Sequence, residues 1–159
     1  MNSKTALLLA GALLLPASVS GQGEMEIPPE IMEAIQGDIS TIHMDVMQST
    51  IRLEPGQAGA FWSVYEEYLS EAQELTAQRT ELVRDFAVAF GTMTDANASE
   101  MGQRALELES RRLDLLGEYF GKISSDVGGI AAGQFLQIEN RIATLKDLRL
   151  AMEVPIVGG

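Results

Sequence analysis

The side chains best suited to metal chemistry lie together in the segment HMDVM, residues 43–47. His43 and Met47 are four residues apart, so they share one face of a helix, and Met44 lies beside them. An imidazole and thioethers form a ligand set that soft Cu(I) accepts, and exported proteins meet that metal. Methionines at helical spacing more often fill a core. The segment therefore predicts either a metal site formed by these three residues or part of a helical core.

Other groups with catalytic potential are few. The chain has no cysteine and one histidine, and it contains neither a Gly-rich phosphate loop nor a Gly-x-Ser-x-Gly turn. Paired carboxylates occur at Glu66/Glu67 and at Glu71/Glu74, where they fit the solvated face of a long amphipathic helix. We therefore expect that the protein is not an enzyme and that it uses no cofactor.

An aromatic cluster is the first candidate for a binding site. Its members are Phe61, Trp62, Tyr65 and Tyr68. Their helical spacing is typical of a core or of a dimer interface. If they were exposed, they would form an apolar patch suited to unfolded chains. We interpret them either as a site that binds unfolded protein chains, called clients below, or as a dimer interface.

Three arginines fall at or near helix positions that are otherwise apolar: Arg79, Arg112 and Arg149. Their stems can pack against apolar neighbours while their charged heads pair with a glutamate. Glu109 and Glu139 are possible partners. The alternative is that these arginines and Glu139 are interface charges that sense a client or a signal.

Residues 1–21 have the composition of a secretory signal peptide. Lys4 supplies the positive charge, residues 6–15 form the apolar run, and small residues follow. We expect cleavage after Ser20 or Gly21. The alternative is a retained membrane anchor, but the apolar run is too short to span a bilayer as a helix.

The mature chain, residues 22–159, is expected to be one strongly acidic domain. The full chain has 11 basic and 23 acidic side chains, and loss of Lys4 leaves 10 against 23, a net charge of −13. Such a chain repels phosphate backbones, so we expect no nucleic-acid partner. Once the signal peptide is cleaved, we expect no membrane insertion. Because the chain has no cysteine, it forms no disulfides, and the core must hold the fold unaided.

Apolar periodicity predicts an all-α fold of about four helices. In the longest segment, apolar and aromatic side chains recur every three or four residues from Phe61 to Phe90. A helix from Pro55 to Gly91 would be about 55 Å long, so it must pack along another helix of similar length. The remaining predicted helices cover residues 31–46, 95–125 and 130–152. We expect the two middle segments to form a long antiparallel hairpin.

Two short motifs predict where the long helices begin. Each places an apolar residue before the helix, a cap next, and Gln or Asn three residues after the cap. The residues are Leu53, Glu54 and Gln57 in the first motif, and Met93, Thr94 and Asn97 in the second. In the first motif Pro55 would be the first helical residue, a position that tolerates proline.

Three stretches resemble the LTxxQ-motif proteins of the Spy/CpxP type, and most closely a branch of small secreted proteins. The stretches are LEPGQAGAFWSVYEEY, MTDANA and FLQIENRIATLKDLRLA, and the resemblance covers roughly residues 29–154. That family contains exported helical proteins of Gram-negative bacteria, including periplasmic chaperones and stress or metal sensors. The resemblance implies a periplasmic location and a helical hairpin that dimerises into a cradle-like assembly.

The resemblance also implies a function. We expect a homodimer that binds unfolded or apolar protein segments of the envelope and holds them without ATP. An alternative is a sensor or scavenger of Cu, Ni, Co or Zn that would use His43, Met44 and Met47. A second alternative is a structural or regulatory dimer that binds no client.

Overall fold

Four α-helices make up the described part of the chain. The computed structural model describes residues 39–156, apart from the side chains of residues 39–42, 149, 152 and 153. The helices are α1 (Ile39–Thr50), α2 (Ala58–Ala89), α3 (Asp95–Asp126) and α4 (Gly129–Glu153), and a 3₁₀ turn (Phe90–Thr92) joins α2 to α3. The described residues contain no β-strand, which confirms the predicted all-α class. The predicted signal peptide and the part of the first predicted helix before residue 39 lie outside the described residues.

The helices pack as an antiparallel bundle. In this bundle α1 packs on α2 and α4, α2 packs on α3, and α3 packs on α4. Glu71 contacts Tyr119, and Asp85 contacts Arg104, so residue numbers fall along α3 as they rise along α2. The predicted antiparallel hairpin of two long helices is therefore confirmed.

The described bundle differs between its two ends because the described part of α1 is short. The described part of α1 has 12 residues, whereas α2 and α3 have 32 residues each. At one end, which we call the closed end, all four helices surround a common core. At the other, the open end, the described helices are only α2, α3 and α4.

Aromatic side chains fill the core of the closed end. The largest fully buried side chains are Tyr65, Tyr119, Phe61, Phe135, Met47 and Ile123. Tyr68 meets Phe135 edge-on with ring centroids 5.1 Å apart, and Tyr65 meets the same ring at 6.1 Å. Such edge-to-face pairs add to the stabilisation from area burial. The aromatic spacing in α2 is therefore the spacing of a core face.

The entry to α2 is a β-turn. The backbone N–H of Gln57 donates to the carbonyl of Glu54 over 3.1 Å, and Gly56 has a φ of +92°. Proline followed by a glycine with positive φ is the signature of a type II turn. The prediction that the helix starts at Pro55 is therefore wrong: α2 begins at Ala58, since the backbone of Gly56 is not helical.

Gln57 joins this turn to the turn between α3 and α4. Its side-chain oxygen accepts from the backbone N–H of Glu54 at 2.7 Å, and its side-chain nitrogen donates to the carbonyl of Val127 at 2.8 Å. Leu53, just before the turn, packs against the core. The first predicted motif thus holds two turns together at the closed end.

Replacing Gln57 with alanine is expected to lower the free energy of unfolding by about 1–2 kcal/mol, because one amide group satisfies two backbone groups. Urea denaturation would measure the change. The matched control is Gln103→Ala, an exposed position on α3, where we expect a change below about 0.5 kcal/mol. Equal effects of the two substitutions would contradict the proposed role of Gln57.

The entry to α3 is a side-chain cap. Thr94 stands at the N-cap, and its hydroxyl oxygen accepts from the backbone N–H of Asn97 at 3.2 Å. The same hydroxyl donates to the side-chain oxygen of Asn97 at 3.0 Å. Met93, before the cap, is half-buried. This motif therefore fixes where α3 begins after the 3₁₀ turn.

Candidate functional site

A buried carboxylate lies where α1, α2 and α4 meet. Glu139 is only 2% exposed, and it shares the inward face of α4 with Phe135 and Ile142. A buried charge is costly unless hydrogen bonds or opposite charges compensate it. The surroundings of Glu139 therefore define the first part of the candidate site.

Three donors surround this carboxylate. The hydroxyl of Tyr65 donates to Oε1 at 2.8 Å, and the hydroxyl of Tyr68 donates to Oε2 at 2.9 Å. Nδ1 of His43 lies 3.0 Å from Oε2. Both carboxylate oxygens are thus engaged, and the described residues leave no buried side-chain N or O atom without a hydrogen-bond partner.

The two tyrosines stay protonated in this environment. Burial, and then the nearby charge of Glu139, raise the pKa of Tyr65 and of Tyr68 well above the ordinary value. A protonated phenol donates its hydrogen, as the geometry requires. These side chains therefore act as structural donors rather than as groups that exchange protons near neutral pH.

A second contact extends the network to a lysine. Nζ of Lys146 lies 2.9 Å from Nε2 of His43. Since Nδ1–H of His43 donates to Glu139, its Nε2 is the nitrogen that accepts from the ammonium. Burial lowers the pKa of Lys146, and the charge of Glu139 partly opposes this shift. We call these five residues the Glu139 network: His43, Tyr65, Tyr68, Glu139 and Lys146.

The Glu139 network borders a cavity of about 860 Å³ between α2, α3 and α4. His43, Tyr68, Glu139 and Lys146 all line it. This volume lies within the range of roughly 300–1,000 Å³ that is typical of small-molecule pockets. The cavity occupies the open end of the bundle, where no described part of α1 accompanies the other three helices.

Two further cations line the cavity near Lys146, and each holds a carboxylate. Arg79 on α2 pairs with Asp147 on α4 at 2.6 Å. Arg112 binds both oxygens of Glu109, at 2.8 and 3.0 Å, and this hydrogen bonding holds the pKa of Glu109 below its ordinary value. The inner end of the cavity, next to the core, is therefore where its charged side chains gather.

The outer end of the cavity is apolar. It comprises the lining residues from 82 to the end of α2, those from residue 93 to residue 108, and those from residue 150 onwards, at the end of α4 and just after it. All described lining residues in these ranges are apolar or glycine; the largest are Leu82, Phe86, Met93, Met101, Leu108, Leu150 and Ile156. The cavity therefore changes from charged to apolar along its length.

The aromatic cluster predicted for client binding lies mostly inside the core. Phe61 and Tyr65 have no exposed surface, and Tyr68 is 5% exposed. Trp62 is half-buried and meets Phe61 edge-on at 5.0 Å. Of these four side chains only Tyr68 lines the cavity. Their use in client binding or dimerisation stays a prediction, and among them Trp62 retains the largest exposed surface.

The residues predicted to bind metal have other contacts. Both ring nitrogens of His43 are engaged, by Glu139 and by Lys146. Met47 is fully buried, and Met44 is half-buried against the same core. Among the described side chains, no group of three or more His, Cys, Asp or Glu is placed to hold a metal ion. Metal binding here stays a prediction, and it would require His43 to release a partner.

The predicted interface charges separate into two groups. Arg79 and Arg112 lie at the cavity, whereas Glu139 accepts from tyrosines and His43 rather than from an arginine. The side chain of Arg149 lies outside the described residues. Sequence reasoning missed Lys146, although its spacing of seven residues from Glu139 places both on one face of α4.

Comparisons with known proteins leave the family resemblance untested. No described helix is long and apolar enough to cross a membrane. Searches against models of protein families, curated proteins and solved structures gave no match. The LTxxQ-type resemblance therefore rests on the three sequence stretches that suggested it.

Proposed function

We propose that the protein is an ATP-independent, chaperone-like protein of the periplasm that binds exposed apolar segments of envelope proteins. The observation that carries this proposal is the apolar outer end of the cavity. Three helices line it with aliphatic, methionine and phenylalanine side chains. Such a surface gains free energy by covering apolar groups of another chain.

Composition supports the same function. The sequence offers no phosphate-binding loop, which agrees with holding that uses no nucleotide. A net charge of −13 for the predicted mature chain, from 10 basic and 23 acidic side chains, keeps the protein soluble while an apolar segment is bound. The predicted signal peptide supports an exported location.

A homodimer is part of the proposal. Leu106 and Leu113 on α3 are 74% and 52% exposed, and their spacing of seven residues places them on one helix face. Exposed leucines at this spacing suit a helix–helix contact with a second copy. Sedimentation of the mature chain and of a Leu106→Glu, Leu113→Glu variant would test it, since a monomeric wild-type chain would exclude the dimer.

Leu108→Glu is expected to weaken the holding of clients. Leu108 is half-buried and lines the outer end of the cavity. A carboxylate there would place a charge on this apolar surface and would have to be desolvated beneath a bound apolar segment. About tenfold more protein should then be needed to suppress the aggregation of a chemically unfolded client, as measured by light scattering without ATP.

Leu145→Glu is the matched control for this experiment. Leu145 is 68% exposed on α4 and does not line the cavity, so the same change in chemistry should leave holding intact. If only Leu145→Glu lost the suppression of client aggregation, the binding surface would lie on the outside of the bundle and not in the cavity. No suppression by several-fold excess of the wild-type chain would reject the chaperone-like function and favour the sensor or regulatory alternatives.

A further inference from the structure

The polarity of the cavity selects for a particular kind of ligand. Its charged side chains lie at the inner end, and its outer end is apolar. A wholly apolar ligand would leave the charges of the inner end facing hydrocarbon, which is costly. A wholly polar ligand would gain nothing from the outer end. A molecule with one charged end and one apolar chain matches both.

Lys146 determines which charge the polar end of the ligand should carry. Arg79 and Arg112 each hold a carboxylate of the protein, whereas Lys146 forms no ion pair with any of the described side chains. An ammonium has three N–H donors, and Lys146 directs one to His43. The remaining donors are available to a ligand. Lys146 therefore favours an anionic group.

The Glu139 network explains why Lys146 keeps this capacity. Both oxygens of Glu139 are already engaged by Tyr65, Tyr68 and His43. The imidazole of His43 stands between this carboxylate and the ammonium of Lys146. Burial lowers the pKa of Lys146, which means that its surroundings do not fully compensate its charge. The carboxylate of a bound ligand would stabilise the positive charge of Lys146.

We propose that the cavity binds a single-chain carboxylate amphiphile of the fatty-acid class, with its carboxylate on the ammonium of Lys146 and its chain along the outer end. From the level of Lys146 to that of Val154, the C-cap residue of α4, the chain rises about 12 Å. That distance suits an acyl chain of medium length. This ligand goes beyond the proposed holding of protein segments, and its binding does not depend on that function.

Titration calorimetry on the mature chain would test the proposal with dodecanoate, kept below the concentration at which it forms micelles. We expect one dodecanoate per chain, bound at least about tenfold more tightly than dodecanol, because the charge-assisted hydrogen bond needs the carboxylate. Lys146→Met should remove this preference, and Lys122→Met should keep it. Lys122 is a matched control because it lies outside the cavity, paired with Glu118.

A second pair of variants tests the place of binding. Ala143 lines the cavity on α4 between Glu139 and Lys146, so Ala143→Trp should block dodecanoate. Ala77→Trp places the same ring at an exposed position of α2 outside the cavity, and it should bind like the wild-type chain.

Three results would overturn the proposal: no binding of dodecanoate by the wild-type chain, equal affinities for dodecanoate and dodecanol, or unchanged binding by a folded Ala143→Trp variant. The first two need no variant, so the proposal can fail even if Lys146→Met does not fold. If the chain holds clients but does not bind dodecanoate, only this inference is wrong. If it binds dodecanoate but does not hold clients, only the chaperone-like function is wrong.

Discussion

Replacing Glu139 with alanine is expected to lower the free energy of unfolding by about 3–5 kcal/mol. The substitution leaves the hydroxyls of Tyr65 and Tyr68 and the ring N–H of His43 without their acceptor inside the core. Each orphaned buried donor costs about 1–3 kcal/mol, and the lost side chain also leaves a void. Glu139→Gln should cost less, because the amide keeps one acceptor oxygen.

Chemical denaturation followed by circular dichroism would measure the loss. The control is Glu118→Ala on α3, since Glu118 is exposed and only pairs with Lys122 one turn away. That pair is worth at most about 0.5 kcal/mol. A Glu139→Ala variant that unfolds at nearly the same denaturant concentration as the Glu118→Ala variant would refute the central role of the Glu139 network.

Raising the pH above about 10 is expected to destabilise the protein steeply. The pKa of Tyr65 and that of Tyr68 are raised in the folded protein, first by burial and then by Glu139. As the pH climbs, the unfolded chain therefore releases these protons first, and deprotonation favours unfolding. Each tyrosine should remove about 1.4 kcal/mol per pH unit in this range, so the two together should remove about 3 kcal/mol.

Two other groups affect this alkaline profile. Burial and a hydrogen bond to Glu71 raise the pKa of Tyr119 to about 12, so it adds a loss in the same direction that ends near pH 12. The lowered pKa of Lys146 acts in the opposite direction, because the folded chain releases that proton first. The gain in stability from Lys146 is complete by about pH 10.5, where an ordinary lysine in the unfolded chain loses its proton. Above that pH the tyrosines determine the slope.

Denaturation series at several alkaline pH values would measure the slope, with phenolate absorbance as a second reading. A Tyr65→Phe, Tyr68→Phe variant is less stable near neutral pH, since it loses two hydrogen bonds to Glu139. Its stability should nevertheless fall much less between about pH 10 and 11. The same slope in the wild-type and the double variant would show that other groups cause the alkaline loss.

The helices could be predicted because their apolar periodicity is a local property. The predicted span of 95–125 differs from α3, Asp95–Asp126, by one residue. The start of α2 could not be predicted from the motif alone, since Pro-Gly suits both a first helical turn and a type II turn. The contact between Gln57 and Val127 at this turn joins residues 70 positions apart, which no local pattern reports.

The candidate site was harder to predict for the same reason. His43 and Glu139 are 96 positions apart, and their contact depends on how α1 packs against α4. From the sequence, His43 and its neighbouring methionines suit either a metal site or a helical core, and Glu139 is either a possible partner for an arginine or an interface charge. A glutamate on the inward, apolar face of a helix was the available signal, because such a carboxylate must be compensated by donors from other helices.

The turns at the closed end have a mechanical consequence. Gln57 fastens the α1–α2 turn to the α3–α4 turn, while at the far end of the described bundle only the 3₁₀ turn joins one helix to the next. We therefore expect the bundle to be rigid at its closed end, where the aromatic core lies, and more easily bent at its open end. Bending at the open end would change the width of the gap between α4 and the α2–α3 hairpin while the closed end keeps its shape. Ligands of different thickness could then bind at a small cost in free energy. Amide hydrogens should exchange faster at the open end than at the closed end.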